Sequence, residues 1–126
     1  MSPPPANTRL LTYAPGEKLA ARAALVICNG GSLTVYQALA AGTPLIGIAS
    51  NMDQHLSMSY VEKAGVGTLL RSDKLSSVKL RIAVQQMLTN HLARSRAQNL
   101  AESIAAYAPA QRLGQILEEI TGRVKD

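Results

Sequence analysis

The chain lacks the features that would mark it as a secreted or membrane-spanning protein. It has one cysteine, Cys28, among 126 residues, which excludes an internal disulfide and favours a reducing compartment. No apolar run approaches the ~20 residues that a membrane-spanning helix needs. These absences favour a cytoplasmic protein, and peripheral attachment to a membrane stays open as an alternative.

Large aromatic side chains are scarce as well. The chain has no Phe, no Trp and 4 Tyr, so an aliphatic core is predicted. The formal net charge is +5, and much of the basic charge lies between Arg71 and Arg96 among apolar positions at helical spacing. That spacing favours a solvated helix face, with attraction to an anionic ligand or membrane surface as the alternative. Nucleic-acid binding is not expected, because no basic cluster is interleaved with stacking aromatic side chains.

What the chain does have is enough apolar material for one folded domain. Hydrophobic residues make up 47% of the sequence, which argues against intrinsic disorder. Residues 1–7 include consecutive prolines and are predicted to be a disordered tail, and residues 8–126 are predicted to form a single domain.

Short apolar runs alternate with helix-like segments in the first part of this domain. Strands are predicted at residues 9–13, 25–28, 44–48 and 67–70, and helices at residues 17–23, 33–41 and 53–64. Such an alternation predicts right-handed crossovers and a Rossmann-like α/β fold, with a parallel sheet of about four strands flanked by helices.

Beyond Leu70 the pattern predicts helices alone. The first is expected to bury a stripe that begins with Leu75, Val78 and Ile82. The later stripes are formed by Ala93, Ala97, Leu100, Ile104 and Tyr107, and, after Pro109, by Leu113, Ile116, Leu117 and Ile120.

The junction between the second strand and its helix carries most of the functional information. Asn29-Gly30-Gly31-Ser32 follows the strand directly, and Thr34 lies in the first turn of the helix. Helix N-termini bind anions through unpaired N–H groups and the helix dipole, and glycine lets a phosphate approach the main chain. The junction therefore predicts a diphosphate-binding loop. The alternative is a tight turn in which Ser32 caps the helix.

A second polar loop follows the third predicted strand. It runs from Ser50 to His55 and includes Asp53 and Gln54. Because parallel strands end at one edge of the sheet, where ligands bind in such folds, both loops are expected to share one rim. Asp53 would bind ligand there, or else cap the following helix.

These residues together resemble a known family. Gly30, Gly31, Ser32, Thr34, Gly42, Pro44, Asp53 and Gln54 match in spacing the donor motif of the carboxy-terminal domain of GT-B glycosyltransferases. The most similar group uses nucleotide-diphosphate sugars to glycosylate natural products, lipids and plant metabolites. Tyr13-Ala14-Pro15 is similar to the base-binding loop of this family, and the segment from Pro109 is similar to its closing helix.

The resemblance implies a binding role for each matching position and no catalytic residue, metal or separate cofactor. Asn29, Gly30, Gly31, Ser32 and Thr34 would contact the diphosphate of a nucleotide sugar, UDP- or dTDP-linked. The other implied contacts are those of Gln37 with the ribose, of Asp53 and Gln54 with the sugar, and of Tyr13 and Pro15 with the base.

The sequence also departs from the family pattern. Asn29 stands in place of a histidine, Gln37 in place of a glutamate and Gly16 in place of a common glutamine. The first strands of the usual donor domain, and the amino-terminal acceptor domain that supplies the catalytic base, have no counterpart in the sequence. The chain is therefore expected to be a partial donor domain that is inactive alone.

Two functions stay open at this point. The first is the donor-binding part of a hexosyltransferase that works with an acceptor domain or partner chain. The second is a non-catalytic interaction or regulatory subunit that keeps the fold without binding donor. In both cases the missing strands would leave an exposed sheet edge, which a rearranged pairing, a homodimer or a partner chain would cover.

Overall fold

Three parallel strands form the centre of the protein. The structure is a computed structural model that describes residues 4–13 and 15–106. Strands β1 (Val26–Cys28), β2 (Leu45–Ala49) and β3 (Gly67–Arg71) lie in the order β1-β2-β3, with Val26 opposite Leu45 and Leu45 opposite Gly67. The parallel α/β sheet flanked by helices is confirmed.

Helices connect and cover the strands close to the predicted positions. They are α1 (Gly16–Arg22), α2 (Ser32–Ala40), α3 (Met52–Ala64), α4 (Ser77–Leu88) and α5 (His91–Ala106), with a short 3-10 turn at Ser72–Lys74. Gly65 ends α3 in the left-handed conformation, with φ of 73°, because only glycine adopts it without strain. Tyr107 and the predicted helix after Pro109 lie outside the described residues.

The prediction of a first strand at residues 9–13 is wrong. These residues form bends and irregular backbone, and Leu10 and Tyr13 are 73% and 84% exposed. Within the described ranges, β1 pairs with β2 alone. An apolar run becomes a strand only when a neighbouring strand supplies hydrogen bonds, and no described strand pairs with this run. The sheet therefore has three strands rather than about four.

The core lies on both faces of the sheet, because successive side chains of β2 point in opposite directions. Leu45 packs on one face with residues of α2, α3 and α5, namely Val35, Ala38, Met58, Val61 and Ala97. Ile46 packs on the other face with Ala83, Met87 and Ala93 of α4 and α5. The predicted core positions Ala93 and Ala97 of α5 are buried.

The buried face of α4 differs from the prediction. Val78 and Ile82 are exposed, and Leu75 lies at the surface before the helix. Ala83 and Met87, four residues apart, face the sheet instead. Ala83 and Met87 pack with Ile46 of β2 in the core on that face of the sheet. No helix in the two described ranges is long and apolar enough to cross a membrane.

Candidate functional site

The carboxyl ends of β1 and β2 bring the two predicted loops together. A Cβ placed on Gly30 would lie 3.3 Å from the main-chain oxygen of Gln54 and 2.8 Å from Cγ of Met58. Gly30 has φ of 86°, a conformation that a residue with a side chain adopts only with strain. Gly30 is therefore required both for its backbone conformation and for the close contact between the loops.

The start of α2 is left open by the protein. The side chain of Asn29 accepts a hydrogen bond of 2.9 Å from the N–H of Gly31. Gly31 occupies the N-cap position, no side chain caps the helix, and its first turn holds no acidic residue. Ser32 lies one position past the cap, so the alternative in which it caps the helix is wrong. Within residues 4–13 and 15–106, the first N–H groups of α2, those of Ser32, Leu33 and Thr34, therefore have no side-chain cap.

The start of α3 is closed by its own residues. Asn51 is the N-cap, and its Oδ1 accepts a hydrogen bond of 2.9 Å from the N–H of Gln54. Asp53 is exposed in the first turn and is not the cap. Its carboxylate therefore lies at the rim without a capping role.

The side chain of Gln54 holds the second loop in place. Its Oε1 accepts hydrogen bonds from the N–H of Ser50 at 2.9 Å and from the hydroxyl of Ser50 at 3.1 Å. The amide orientation is thereby fixed, and its NH2 group is the part that would donate to a ligand. Gln54 consequently orders the loop as well as lining the rim.

Gln37 is a residue of α2, and its side chain lies against the start of α1. Its half-buried side chain packs against Gly16, so that a Cβ at position 16 would lie 2.5 Å from Oε1 of Gln37. Tyr13 and Pro15, which precede α1, are exposed, and Ala14 lies outside the described residues. The structure therefore places the predicted ribose-binding residue next to the predicted base-binding loop.

Two supporting residues were not predicted from the sequence. Met58 is fully buried under the rim, where a Cβ on either Gly30 or Gly47 would collide with its side chain. Thr43 is buried, and its hydroxyl donates a hydrogen bond of 2.6 Å to the main-chain oxygen of Ala20 in α1. The position of Met58 four residues after Gln54 was the available signal, because that spacing places both on one helix face.

Cys28 lies beneath the open start of α2 and is half-buried. Burial raises the pKa of its thiol above the ordinary value of 9.0, and the hydrogen bond from the N–H of Gly30 lowers the pKa by less. The thiol is therefore protonated at neutral pH, which does not suit a nucleophile. Among the residues that the structure describes, no cluster of His, Cys, Asp and Glu could hold a metal ion.

Comparison with known proteins decides the family. The family model of the C-terminal domain of proteins like erythromycin biosynthesis protein CIII matches residues 1–120. The chain belongs to this family. The predicted resemblance to the carboxy-terminal domain of GT-B glycosyltransferases is confirmed.

Curated relatives are named as glycosyltransferases. The PGL/p-HBAD biosynthesis rhamnosyltransferase of Mycobacterium bovis is 52% identical over 99 residues, which are 79% of this chain and 22% of that protein. The NDP-glycosyltransferase YjiC of Bacillus subtilis is 27% identical over 90% of this chain and 29% of its own length. The chain thus spans between a fifth and a third of the curated relatives it matches.

Solved structures show the same fold. CalG4, the calicheamicin glycosyltransferase, matches with a TM-score of 0.82 and 27% identity over 98% of this chain and 32% of that chain. The kitacinnamycin glycosyltransferase matches with a TM-score of 0.82 over 94% of this chain and 31% of that one. The second pair is only 18% identical, so that likeness concerns the fold alone.

Proposed function

We propose that the chain binds the nucleotide-diphosphate sugar donor of a glycosyltransferase. The observation that carries the proposal is the open start of α2, which lies beside the rim residues of α3 in a chain of this family. A helix start without a side-chain cap or acidic residue stabilises an anion through its N–H groups and dipole. A diphosphate is the anion that a sugar nucleotide would place there.

In this proposal the diphosphate lies over Asn29, Gly30, Gly31, Ser32 and Thr34. Gly31 lets a phosphate oxygen reach the main chain, and the N–H groups at the start of α2 donate to it. Ser32 is exposed at the surface, and its hydroxyl would donate a further hydrogen bond. Asn29 holds the turn through the N–H of Gly31 and leaves its NH2 group to donate to phosphate.

The two ends of the donor lie on either side of the diphosphate. Asp53 and Gln54 would bind the sugar hydroxyls, since a carboxylate accepts and an amide NH2 donates hydrogen bonds. Gln37 would bind the ribose, and the exposed segment around Tyr13 and Pro15 would meet the base. UDP- and dTDP-linked sugars are the candidate donors, and the NDP-glycosyltransferase name of the Bacillus relative supports a nucleotide donor.

Sugar transfer would need a second domain or a partner chain. Attack at the anomeric carbon requires an acceptor held in line and a general base, and the candidate site provides neither. We therefore expect the isolated chain to be inactive and to work with an acceptor domain or partner chain. No described strand pairs with the outer edge of β1, where Ile27 is 47% exposed, and this edge supports an association with a partner chain or with a second copy of this chain.

That same edge favours the second candidate function, a non-catalytic interaction subunit. An unpaired strand next to an exposed apolar side chain is a surface on which another chain can add a strand. Stable copurification with a partner, combined with an absence of nucleotide affinity, would support this function over donor binding.

Calorimetric titration of the purified chain with UDP and with dTDP tests the proposal. Saturable binding of one of them is expected, together with no acceptor-dependent release of nucleoside diphosphate from the sugar nucleotide. Failure of both nucleotides to bind at about 1 mM, which corresponds to a binding free energy weaker than about −4 kcal/mol, would contradict donor binding. Acceptor-dependent turnover by the chain alone would contradict the need for a partner.

A further inference from the structure

The side chain of Gln37 fills the space that a side chain at position 16 would occupy. A Cβ on Gly16 would lie 2.5 Å from Oε1, 3.2 Å from Cδ and 3.4 Å from Nε2 of Gln37. All three nearest atoms belong to one amide group. The amide of Gln37 therefore packs directly against the main chain at the start of α1.

Backbone conformation does not explain the glycine at this position. Gly16 is absent from the glycines with positive φ, which are Gly30, Gly42 and Gly65 in the described part of the chain. It is the first residue of α1, and glycine is a poorer helix former than alanine. The missing side chain, rather than conformational freedom, is what the structure uses at Gly16.

The position of this contact matters if the chain binds a nucleotide as proposed above. Gln37 lies five residues beyond Ser32 on α2, about 7.5 Å along the helix from its start. Its other neighbour is the start of α1, which follows Tyr13 and Pro15. In a nucleoside diphosphate the pentose joins the base to the phosphates. Gln37 belongs to the helix that would bind the phosphates, and it contacts the helix that follows the segment proposed to meet the base. Gln37 would therefore lie next to the pentose.

We propose that Gly16 is a positioning residue whose missing side chain leaves room for the amide of Gln37 to lie where the pentose of the nucleotide passes. The proposal rests on the proposed function. A methyl group at position 16 would displace only the far end of a flexible side chain, which can rotate away at small cost in stability. Substitution of Gly16 should therefore damage nucleotide binding while the fold stays intact.

The test measures Gly16→Ala in the full chain by calorimetry with UDP and dTDP, by thermal unfolding and by the NMR signal of the Gln37 side-chain NH2. The dissociation constant of the nucleotide that binds should rise about tenfold, the equivalent of one lost hydrogen bond. The melting temperature should stay unchanged or rise, because alanine favours the helix. The Gln37 NH2 signal should shift before any nucleotide is added. Lys18→Ala, an exposed change on α1, should alter none of these quantities.

A double-mutant cycle separates positioning from a direct role of Gly16. Once Gln37→Ala has removed the amide, adding Gly16→Ala should change the affinity less than twofold. An equal loss of affinity in both backgrounds would overturn the inference, as would an unchanged affinity of Gly16→Ala in the otherwise natural chain. In both of those cases the natural chain still binds nucleotide and the proposed function stands. If the natural chain binds neither nucleotide, the proposed function fails and the inference fails with it.

Discussion

The starts of α2 and α3 lie side by side at one rim of the sheet but differ in their N-caps. At α3, Asn51 accepts a hydrogen bond from the N–H of Gln54, and Asp53 adds a negative charge to the first turn. At α2, Gly31 offers no side chain, and the first turn has no acidic residue. Among the described residues, a side chain of the protein caps the start of α3 and none caps the start of α2.

The proposed function assigns the bound anion to the start of α2 and not to the start of α3. Glycine at an N-cap costs only a few tenths of a kcal/mol relative to a capping side chain, so the start of α2 at Gly31 gives up little stability. The glycine that replaces the cap also admits a ligand to the main chain. A side-chain cap added at α2 should therefore raise the free energy of unfolding and lower nucleotide affinity. Removing the cap at α3 should lower the free energy of unfolding and change nucleotide affinity far less.

The largest effect is expected from removing the support that both starts share. Met58 is buried beneath Gly30 and against Gly47, so Met58→Ala would leave a cavity under the rim. The free energy of unfolding, measured in urea, should fall by about 2–5 kcal/mol. Met58→Leu, a change of similar volume, should cost less than about 1.5 kcal/mol. Equal losses for the two variants would show that Met58 does not fill this space closely.

Closing α2 in the way that α3 is closed should abolish binding while stabilising the fold. In Gly31→Asp, the carboxylate would accept from the N–H groups of the first turn and repel a diphosphate. Nucleotide affinity should fall about 100-fold or more, and the free energy of unfolding should rise by up to about 1 kcal/mol.

The isosteric variant Gly31→Asn serves as the control for charge. It caps the helix without adding a negative charge, so its loss of affinity should be smaller than that of Gly31→Asp. The exposed side chain of Asn29, whose Oδ1 would lie 3.1 Å from a Cβ at position 31, can shift to make room. Unchanged nucleotide affinity in both variants would mean that no anion is bound at this helix start.

Removing the cap of α3 should lower stability more than it lowers nucleotide affinity. Asn51→Ala removes the cap that accepts from the N–H of Gln54 and should lower the free energy of unfolding by about 1 kcal/mol. Nucleotide affinity should fall far less than in Gly31→Asp, because Asn51 is not assigned a ligand contact. Calorimetry and urea unfolding of the two variants side by side measure this reversal. A larger loss of affinity in Asn51→Ala would place the main anion contact at α3 instead.

The smallest effect concerns the dependence of stability on pH at Cys28. Folding raises the pKa of this thiol above 9.0, so the folded state favours the protonated form. That contribution is present at neutral pH and is lost as the pH rises above about 9, where the thiol of the unfolded chain ionises. The free energy of unfolding, measured in urea between about pH 7 and 10, should therefore fall more steeply with pH for the natural chain than for Cys28→Ala. Parallel curves would show that the thiol is not desolvated.

The features of the fold that could be predicted from the sequence are those that depend on local chemistry. Glycines and prolines marked the ends of strands and helices, so β2, α3 and the turn at Gly65 lie close to their predicted positions. The spaced set from Gly30 to Gln54 indicated two loops on one rim, and Gly30 does contact Gln54 there.

What the sequence did not predict depends on contacts between distant residues. The run at residues 9–13 has the composition of a strand but no neighbouring strand in the described sheet. The buried face of α4 is set by the contact of Ala83 and Met87 with Ile46 of β2, and the predicted stripe of Leu75, Val78 and Ile82 is exposed. The packing of Gln37 on Gly16 joins residues 21 positions apart, and no local pattern reveals such a contact.

The most direct test of the central claim is an NMR titration of the full chain with UDP and with dTDP. One of them should shift the main-chain amide signals of Ser32, Leu33 and Thr34 most strongly, since these are the first N–H groups of α2 and no side-chain cap occupies its start. Smaller shifts should appear at Asp53 and Gln54. If the largest shifts instead lie on α4 or α5, or if neither nucleotide shifts the start of α2, the open helix start does not bind the donor.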